Sequence, residues 1–188
     1  MDTCSSGDSR NAPGTPSGCP TDLNRPLVLN WSDEADCAAM ACRLAALPAL
    51  RGACIELHGG LGAGKTTWVR HLLRALGVSG RIKSPSYAIV EPYALPADAS
   101  GAVAASDAWH FDFYRFGDPQ EWEDAGFREL FAAPGLKLVE WPERIAGLTG
   151  PADLALDIEA RIDGSRAVQV HAGTPLGLSL LAGLSQPR

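Results

Sequence analysis

Several features that would assign a chain to another class of protein are missing from this sequence of 188 residues. No apolar run approaches the roughly 18–20 residues that cross a bilayer, so we expect no membrane span. Residues 1–24 contain a single basic side chain and no apolar core, so we expect no secretory signal. Hydrophobic residues make up 46% of the chain, a share that is typical of a soluble globular protein.

A paired arrangement of cysteines is also missing. The five cysteines are odd in number and include no Cys-x-x-Cys pair. This pattern favours reduced thiols over a disulfide framework, and we therefore expect a cytoplasmic protein.

The negative charge of the chain is unevenly distributed. Sixteen basic residues against 22 acidic ones give a formal net charge of -6, which argues against a protein that coats nucleic acid. The segment from Arg51 to Lys83 nevertheless has six basic residues and one acid, a balance of +5, which leaves -11 for the remainder. A positive segment in an acidic chain predicts a site for a small anion.

Composition divides the chain into a tail and a folded part. Residues 1–25 are rich in Ser, Gly, Pro and Thr and offer few large apolar side chains, so we predict a disordered tail. In the remainder, strands and helices are predicted to alternate, with a surface loop at 92–106. The predicted strands are 53–57, 87–90, 109–113, 136–140, 154–158 and 167–170, and the predicted helices begin near Ser32, Lys65, Asp118 and Leu176. This order predicts an α/β fold, a single domain with a mainly parallel central sheet flanked by helices.

The segment 59–66 reads GGLGAGKT and fits the phosphate-loop pattern Gly-x-x-x-x-Gly-Lys-Ser/Thr without a mismatch. Glycines allow a tight turn that presents successive backbone N–H groups to phosphate oxygens, and the helix that follows points its positive end at the same place. Lys65 would reach the β- and γ-phosphates, the Thr66 hydroxyl would bind magnesium, and Thr67 would support the phosphates. The sequence therefore predicts a nucleotide site.

Two predicted strands have an acid at or next to their last residue, Asp112 and Glu140. Mg²⁺ that is bound together with phosphates needs one or two carboxylates. The strand ends of such a sheet meet at the ligand crevice. Either acid would serve as the magnesium ligand while the other polarises water, and the residues alone leave the order open.

Four segments follow one another in a specific order along the chain. They read GAGKTT at 62–67, KSPSY at 83–87, HFDFYR at 110–115 and VEWP at 139–142. This succession resembles the TsaE family, bacterial ATPases required for the threonylcarbamoyladenosine modification of tRNA.

The resemblance implies a single P-loop NTPase domain, which we place at residues 26–188, that binds ATP with Mg²⁺ and hydrolyses it slowly. It also implies two partner proteins, TsaD and TsaB. ATP hydrolysis would reset their complex, in which TsaD carries the transfer of the threonylcarbamoyl group to an adenosine of tRNA. The tRNA itself would be contacted mostly by the partners.

The resemblance further implies roles for individual residues. Glu140 matches the magnesium ligand, together with Thr66, and Asp112 matches an essential aspartate near the γ-phosphate, so that Lys65, Asp112 and Glu140 form the catalytic set. The residues implied to bind ATP are Asp33, Gly62, Ala63, Gly64, Lys65, Thr66, Thr67 and Arg166.

A second segment, Lys83, Ser84, Pro85 and Ser86, resembles a switch beside the γ-phosphate. One of its serines would orient water or sense hydrolysis, and the proline would fix the turn. Trp141 resembles a tryptophan near the nucleotide, and the alternative for it is an aromatic side chain in the core.

Two other functions are compatible with a phosphate loop, a small P-loop kinase and a nucleotide-gated protein-binding module. Kinases of this size usually need an arginine-rich lid. The segment after Asp118 is instead acidic, with Glu121, Glu123 and Asp124. This composition disfavours the kinase and would suit a docking surface of a binding module.

Overall fold

A computed structural model describes residues 25–98, 101–117 and 119–186. The predicted tail lies outside the described residues except for Arg25, as does Asp118, the predicted start of a helix. The strands are β1 (Leu27–Trp31), β2 (Cys54–His58), β3 (Val90–Leu95), β4 (Ser106–Asp112), β5 (Leu136–Glu140), β6 (Leu154–Ala160) and β7 (Arg166–Ala172). The helices are α1 (Glu34–Ala45), α2 (Lys65–Ala75), α3 (Pro119–Asp124), α4 (Phe127–Ala132) and α5 (Pro175–Ser185), with 3-10 turns at Pro48–Gly52 and Pro142–Ile145. Among the described residues, no helix is both long and apolar enough to cross a membrane.

All seven strands belong to one sheet of order β1-β7-β6-β2-β5-β4-β3. The four central strands, β6, β2, β5 and β4, pair in parallel as predicted. At the margins, β3 pairs antiparallel with β4, and β7 pairs antiparallel with both β6 and β1. The sheet is therefore mixed, and the prediction of a mainly parallel sheet is wrong for both margins. The physical reason for β3–β4 and β6–β7 is that each pair is joined without a helix, whereas a parallel pair needs a longer crossover.

The central strands are buried because helices cover both faces of the sheet. On one face, α1, α2 and α5 pack over alternate strand residues such as Ile55, Leu57 and Leu138. On the other face, α3 and α4 share an aromatic cluster with β4. The buried aromatic members of this cluster are Phe111, Phe113, Phe116, Trp122 and Phe127. All five residues of β5 are buried as a result, including its charged last residue, Glu140.

The two helices that border the site begin where the sequence predicts. Asp33 caps α1, because its Oδ1 accepts hydrogen bonds from the amides of Ala35 at 2.8 Å and Asp36 at 3.1 Å. Gly77 follows α2 with a φ of 92°, the left-handed conformation that commonly terminates a helix.

The segment before β4 differs from the prediction. Residues 90–95, most of which were expected in a loop, form the edge strand β3, and Pro92 pairs with Trp109 of β4. An edge strand tolerates proline, because one side of the strand needs no ladder hydrogen bond. Residues 87–89, which were expected in a strand, lie in a turn before β3, and Tyr87 is 85% exposed.

Candidate functional site

The glycine-rich loop that joins β2 to α2 is the centre of the site. Gly59, Gly62 and Gly64 have φ values of 131°, 78° and 112°, which residues with a side chain rarely adopt. A Cβ on Gly59 would also lie 2.3 Å from the carbonyl oxygen of Ile158. Glycine is therefore required here, and the loop can present its amides to an anion at the N-terminus of α2.

The side chain of Lys65 lies against this loop and is buried. Its Nζ donates hydrogen bonds to the carbonyl oxygens of Gly59 at 2.5 Å and Gly60 at 3.0 Å. The same atom lies 3.9 Å from the centroid of the Trp141 ring. Burial lowers the pKa of Lys65 from its ordinary value, while the negative charge of Glu140 opposes that shift. The neutral carbonyls are weaker partners for an ammonium group than phosphate oxygens would be.

Glu140 lies at the end of β5, opposite the start of α2. Its Oε1 accepts a hydrogen bond from Thr66 Oγ1 at 2.7 Å and contacts His110 Nε2 at 2.9 Å. The parallel register pairs Glu140 with Asp112 of β4. The two acids predicted from the sequence are therefore neighbours at the carboxyl edge of the sheet.

Asp112 is held by the segment that precedes β3. Its Oδ2 lies 3.1 Å from Ser84 Oγ and 2.5 Å from Ser86 Oγ, and the two serine oxygens are 2.8 Å apart. Two hydroxyls supply two protons for these three contacts, so the hydrogen bonds can rearrange without movement of heavy atoms. The backbone amide of Tyr114 donates to Oδ1 of the same carboxylate at 3.1 Å.

These groups line one cavity of about 240 Å³. Its walls contain Leu61, Gly62, Ala63, Gly64, Lys65, Thr66, Thr67, Ser84, Ser86, Asp112, Tyr114, Glu140 and Trp141. Trp141 has a φ of 59°, unusual for a residue with a side chain, and its ring lies 5.0 Å from that of Tyr114. Trp141 is therefore part of the cavity wall and is not confined to the core.

A second cavity, also of about 240 Å³, adjoins the first at Ala63, Gly64 and Thr67. Asp33 and Arg166 line it, as do four residues for which the sequence indicated no role, Trp31, Glu34, Cys37 and Gly164. Arg166 is fixed there because its Nε donates to the carbonyl oxygen of Ala63 at 2.9 Å. The Asp33 carboxylate is engaged in capping α1.

Only some residues of the predicted switch-like segment, 83–86, line a cavity. Ser84 and Ser86 line the first cavity, and the buried Pro85 lies between them. Lys83 is exposed and lines neither cavity. A larger groove of about 450 Å³ lies between the loop and strands β6 and β7, and of the predicted site residues only Ala63 borders it. The predicted chemistry is therefore concentrated in the two smaller cavities.

Sequence reasoning missed His110 and Tyr114, although both belong to the HFDFYR segment. His110 precedes Asp112 by two residues on β4, so both side chains point to the same face of the sheet. This alternation was available in the sequence. The contact between the Tyr114 and Trp141 rings was not, because the two residues lie on different segments that only the fold brings together.

The side-chain oxygens of Thr66 and Glu140 are suitable ligands for a magnesium ion. Thr66 Oγ1 and the Glu140 carboxylate are hard donors, and Mg²⁺ in nucleotide sites typically takes one or two protein oxygens besides phosphate and water. Within the described residues, no cluster of three His, Cys, Asp or Glu side chains could hold a metal. The two protein oxygens fit a magnesium ion whose other ligands are phosphate and water.

The family model and the relatives that match this chain carry the same protein name. A family model for "Threonylcarbamoyl adenosine biosynthesis protein TsaE" matches residues 31–168. The tRNA threonylcarbamoyladenosine biosynthesis protein TsaE of Haemophilus influenzae is 37% identical over 131 residues, which cover 70% of this chain and 77% of that protein. The protein of the same name from Bacillus subtilis is 33% identical over 130 residues, covering 69% of this chain and 76% of the relative.

A solved structure shares the fold. The crystal structure of Bacillus subtilis YdiB matches with a TM-score of 0.64 at 24% identity, covering 86% of this chain and 95% of that one. A single α/β domain with a mixed sheet flanked by helices is therefore common to both.

The reactivity of the Cys37 thiol tests whether the wall of the second cavity is buried as the structure has it. Burial raises the pKa of Cys37 to about 12, so its thiolate fraction at pH 8 is about one in ten thousand. We expect iodoacetamide at pH 8 to label the exposed Cys42 at least about a hundredfold faster than Cys37, measured by peptide mass spectrometry. In urea the two rates should converge. Equal rates in the folded protein would contradict the buried environment.

Proposed function

This chain belongs to the TsaE family, and from that premise we propose that it is a magnesium-dependent ATPase of the machinery that makes N6-threonylcarbamoyladenosine in tRNA. In this proposal it binds ATP and hydrolyses it slowly, in the cytoplasm. Hydrolysis supports turnover of a complex of the partner proteins TsaD and TsaB, which carry out the transfer to tRNA.

The observation that carries the proposal is the contact between Thr66 and Glu140 at 2.7 Å, beside the loop lysine. A structural turn would need the glycines alone. Here the first hydroxyl of α2, a buried carboxylate and the buried Lys65 line one cavity with Asp112. These are the groups that phosphoryl transfer from a nucleotide requires.

Binding of the phosphates follows from the loop. The amides of 62–67 would donate to phosphate oxygens, and the N-terminal end of α2 would favour the same negative charge. Lys65 would exchange its contacts with Gly59 and Gly60 for the stronger charged contacts of the β- and γ-phosphates. Asp33 and Arg166 would contact the nucleoside of ATP, because they line the second cavity, which adjoins the first cavity at the phosphate loop.

Thr66 and Glu140 would hold the magnesium ion, which when bound neutralises charge on the β- and γ-phosphates. This assigns Glu140 as the magnesium ligand and leaves Asp112 for the γ-phosphate. Ser84 and Ser86 hold Asp112 in place. Asp112 would orient the attacking water and accept its proton, and the rearrangeable serine contacts would respond to loss of the γ-phosphate.

The charge distribution supports an indirect relation to tRNA. The basic residues between 51 and 83 lie in the sequence on both sides of the phosphate loop, and the remainder of the chain carries -11. A surface of that charge repels a polyanion such as tRNA. The partners would therefore supply most of the tRNA-binding surface.

The first prediction concerns Lys65. We expect Lys65→Ala to abolish measurable Mg-ATP binding in isothermal titration calorimetry, because the buried phosphate charge loses its cation. Arg74→Ala is the matched control, since Arg74 is an exposed cation on the same helix that lines neither cavity. Affinity unchanged by Lys65→Ala would refute the assignment of the site.

The second prediction concerns Asp112. We expect Asp112→Ala to lower the rate of ATP hydrolysis by about a hundredfold or more while Mg-ATP still binds. Phosphate release and calorimetry measure the two effects separately. Asp107→Asn, an exposed acid on the same strand, should hydrolyse ATP normally. Normal turnover of Asp112→Ala would remove Asp112 from the catalytic set.

The third prediction tests the pathway. Depletion of this protein in its own cell should lower threonylcarbamoyladenosine in bulk tRNA, measured by nucleoside mass spectrometry. The wild-type gene should restore the modification and a Lys65→Ala gene should not. Normal levels in depleted cells would reject the proposed function even if the ATP site is correct.

A further inference from the structure

His110 is a buried polar residue that lies behind the acids of the site. Its side chain is fully buried on β4. Its Nε2 lies 2.9 Å from Glu140 Oε1, while its Nδ1 has no hydrogen-bond partner. Burying an imidazole with one unsatisfied nitrogen costs stability that an apolar side chain would avoid. The residue therefore needs an explanation beyond packing.

The contact with Glu140 defines which nitrogen carries the proton. An ionised carboxylate only accepts hydrogen bonds, so Nε2 donates and Nδ1 is the bare acceptor. An imidazole can donate in this way while uncharged. A donor at this position holds the carboxylate oxygen in a fixed direction.

We propose that His110 is a positioning residue that fixes the Glu140 carboxylate for magnesium, an inference that rests on the proposed ATPase function. Thr66 contacts the same oxygen from the side of the loop, and His110 contacts it from the buried side. Thr66 Oγ1 is itself a proposed magnesium ligand, so its contact with Glu140 changes when the ion binds. The bond from His110 can persist in both states and keeps the carboxylate in one rotamer.

A different explanation is that the bond merely ties β4 to β5. These strands already pair over five residues, from Ala108–Leu136 to Asp112–Glu140, so the sheet does not depend on this side chain. A structural tie would affect stability alone. A positioning residue would affect magnesium affinity, whatever its effect on the stability of the fold.

The test compares two variants of similar shape, His110→Gln, which keeps a donor near the position of Nε2, and His110→Met, which has none. Isothermal titration of Mg²⁺ into full-length protein with a non-hydrolysable ATP analogue measures the ion without turnover. We expect His110→Met to weaken the apparent Mg²⁺ affinity about tenfold to a hundredfold and His110→Gln to restore most of it. Binding of the analogue without Mg²⁺ should be equal in all three proteins. Equal Mg²⁺ affinity in wild type and His110→Met would overturn the proposal.

A measurement on the wild-type protein covers the case in which His110→Met does not fold. The ¹⁵N spectrum of the His110 ring should show the Nε2–H tautomer, and its signals should shift on addition of Mg²⁺ with the analogue. The other tautomer, or no shift, would overturn the inference. If wild-type protein shows no Mg²⁺-dependent binding of the analogue, the proposed function itself fails, which separates the two outcomes.

Discussion

The hydrogen bond between Thr66 and Glu140 is the contact on which the site depends, because it joins the phosphate loop to the end of a neighbouring strand. It exists because β2 leads into the loop and β5 pairs in parallel beside β2, so that the two chain segments end at the same edge. A shift of one residue in β5 would turn Glu140 towards the aromatic cluster on the other face. The register of the central sheet is therefore a condition for the arrangement of Lys65, Thr66 and both acids.

The hydrogen bond between Thr66 and Glu140 lies among buried polar and charged side chains that do not stabilise a core. Lys65, Asp112, Glu140 and His110 are all buried in a region otherwise filled by leucine, isoleucine and aromatic side chains. Burying charges and polar atoms is unfavourable unless each is paired, and the pairing here is incomplete at His110 Nδ1. A concentration of such groups at one strand edge is a mark of function, and it coincides with the cavity that the phosphate loop borders.

The two cavities that meet at Ala63, Gly64 and Thr67 would hold different parts of the proposed nucleotide, the phosphates in the first and the nucleoside in the second. The first cavity is lined by Lys65 and by the carboxylates of Asp112 and Glu140. The second cavity is bordered by Asp33, the cap of α1, and by Arg166, which contacts the loop from the start of β7. An antiparallel margin of the sheet thus completes a site that begins in its parallel centre.

Local sequence determined the phosphate loop, the caps of α1 and α2 and most strands, because glycine conformation, capping chemistry and apolar periodicity act over a few residues. It also placed Asp112 and Glu140 at strand ends. Tertiary structure alone decided the antiparallel margins, the edge strand containing Pro92, and the pairing of Glu140 with Thr66 and His110. These features depend on which strands become neighbours, and neighbours that are distant in sequence are chosen by packing of the whole core.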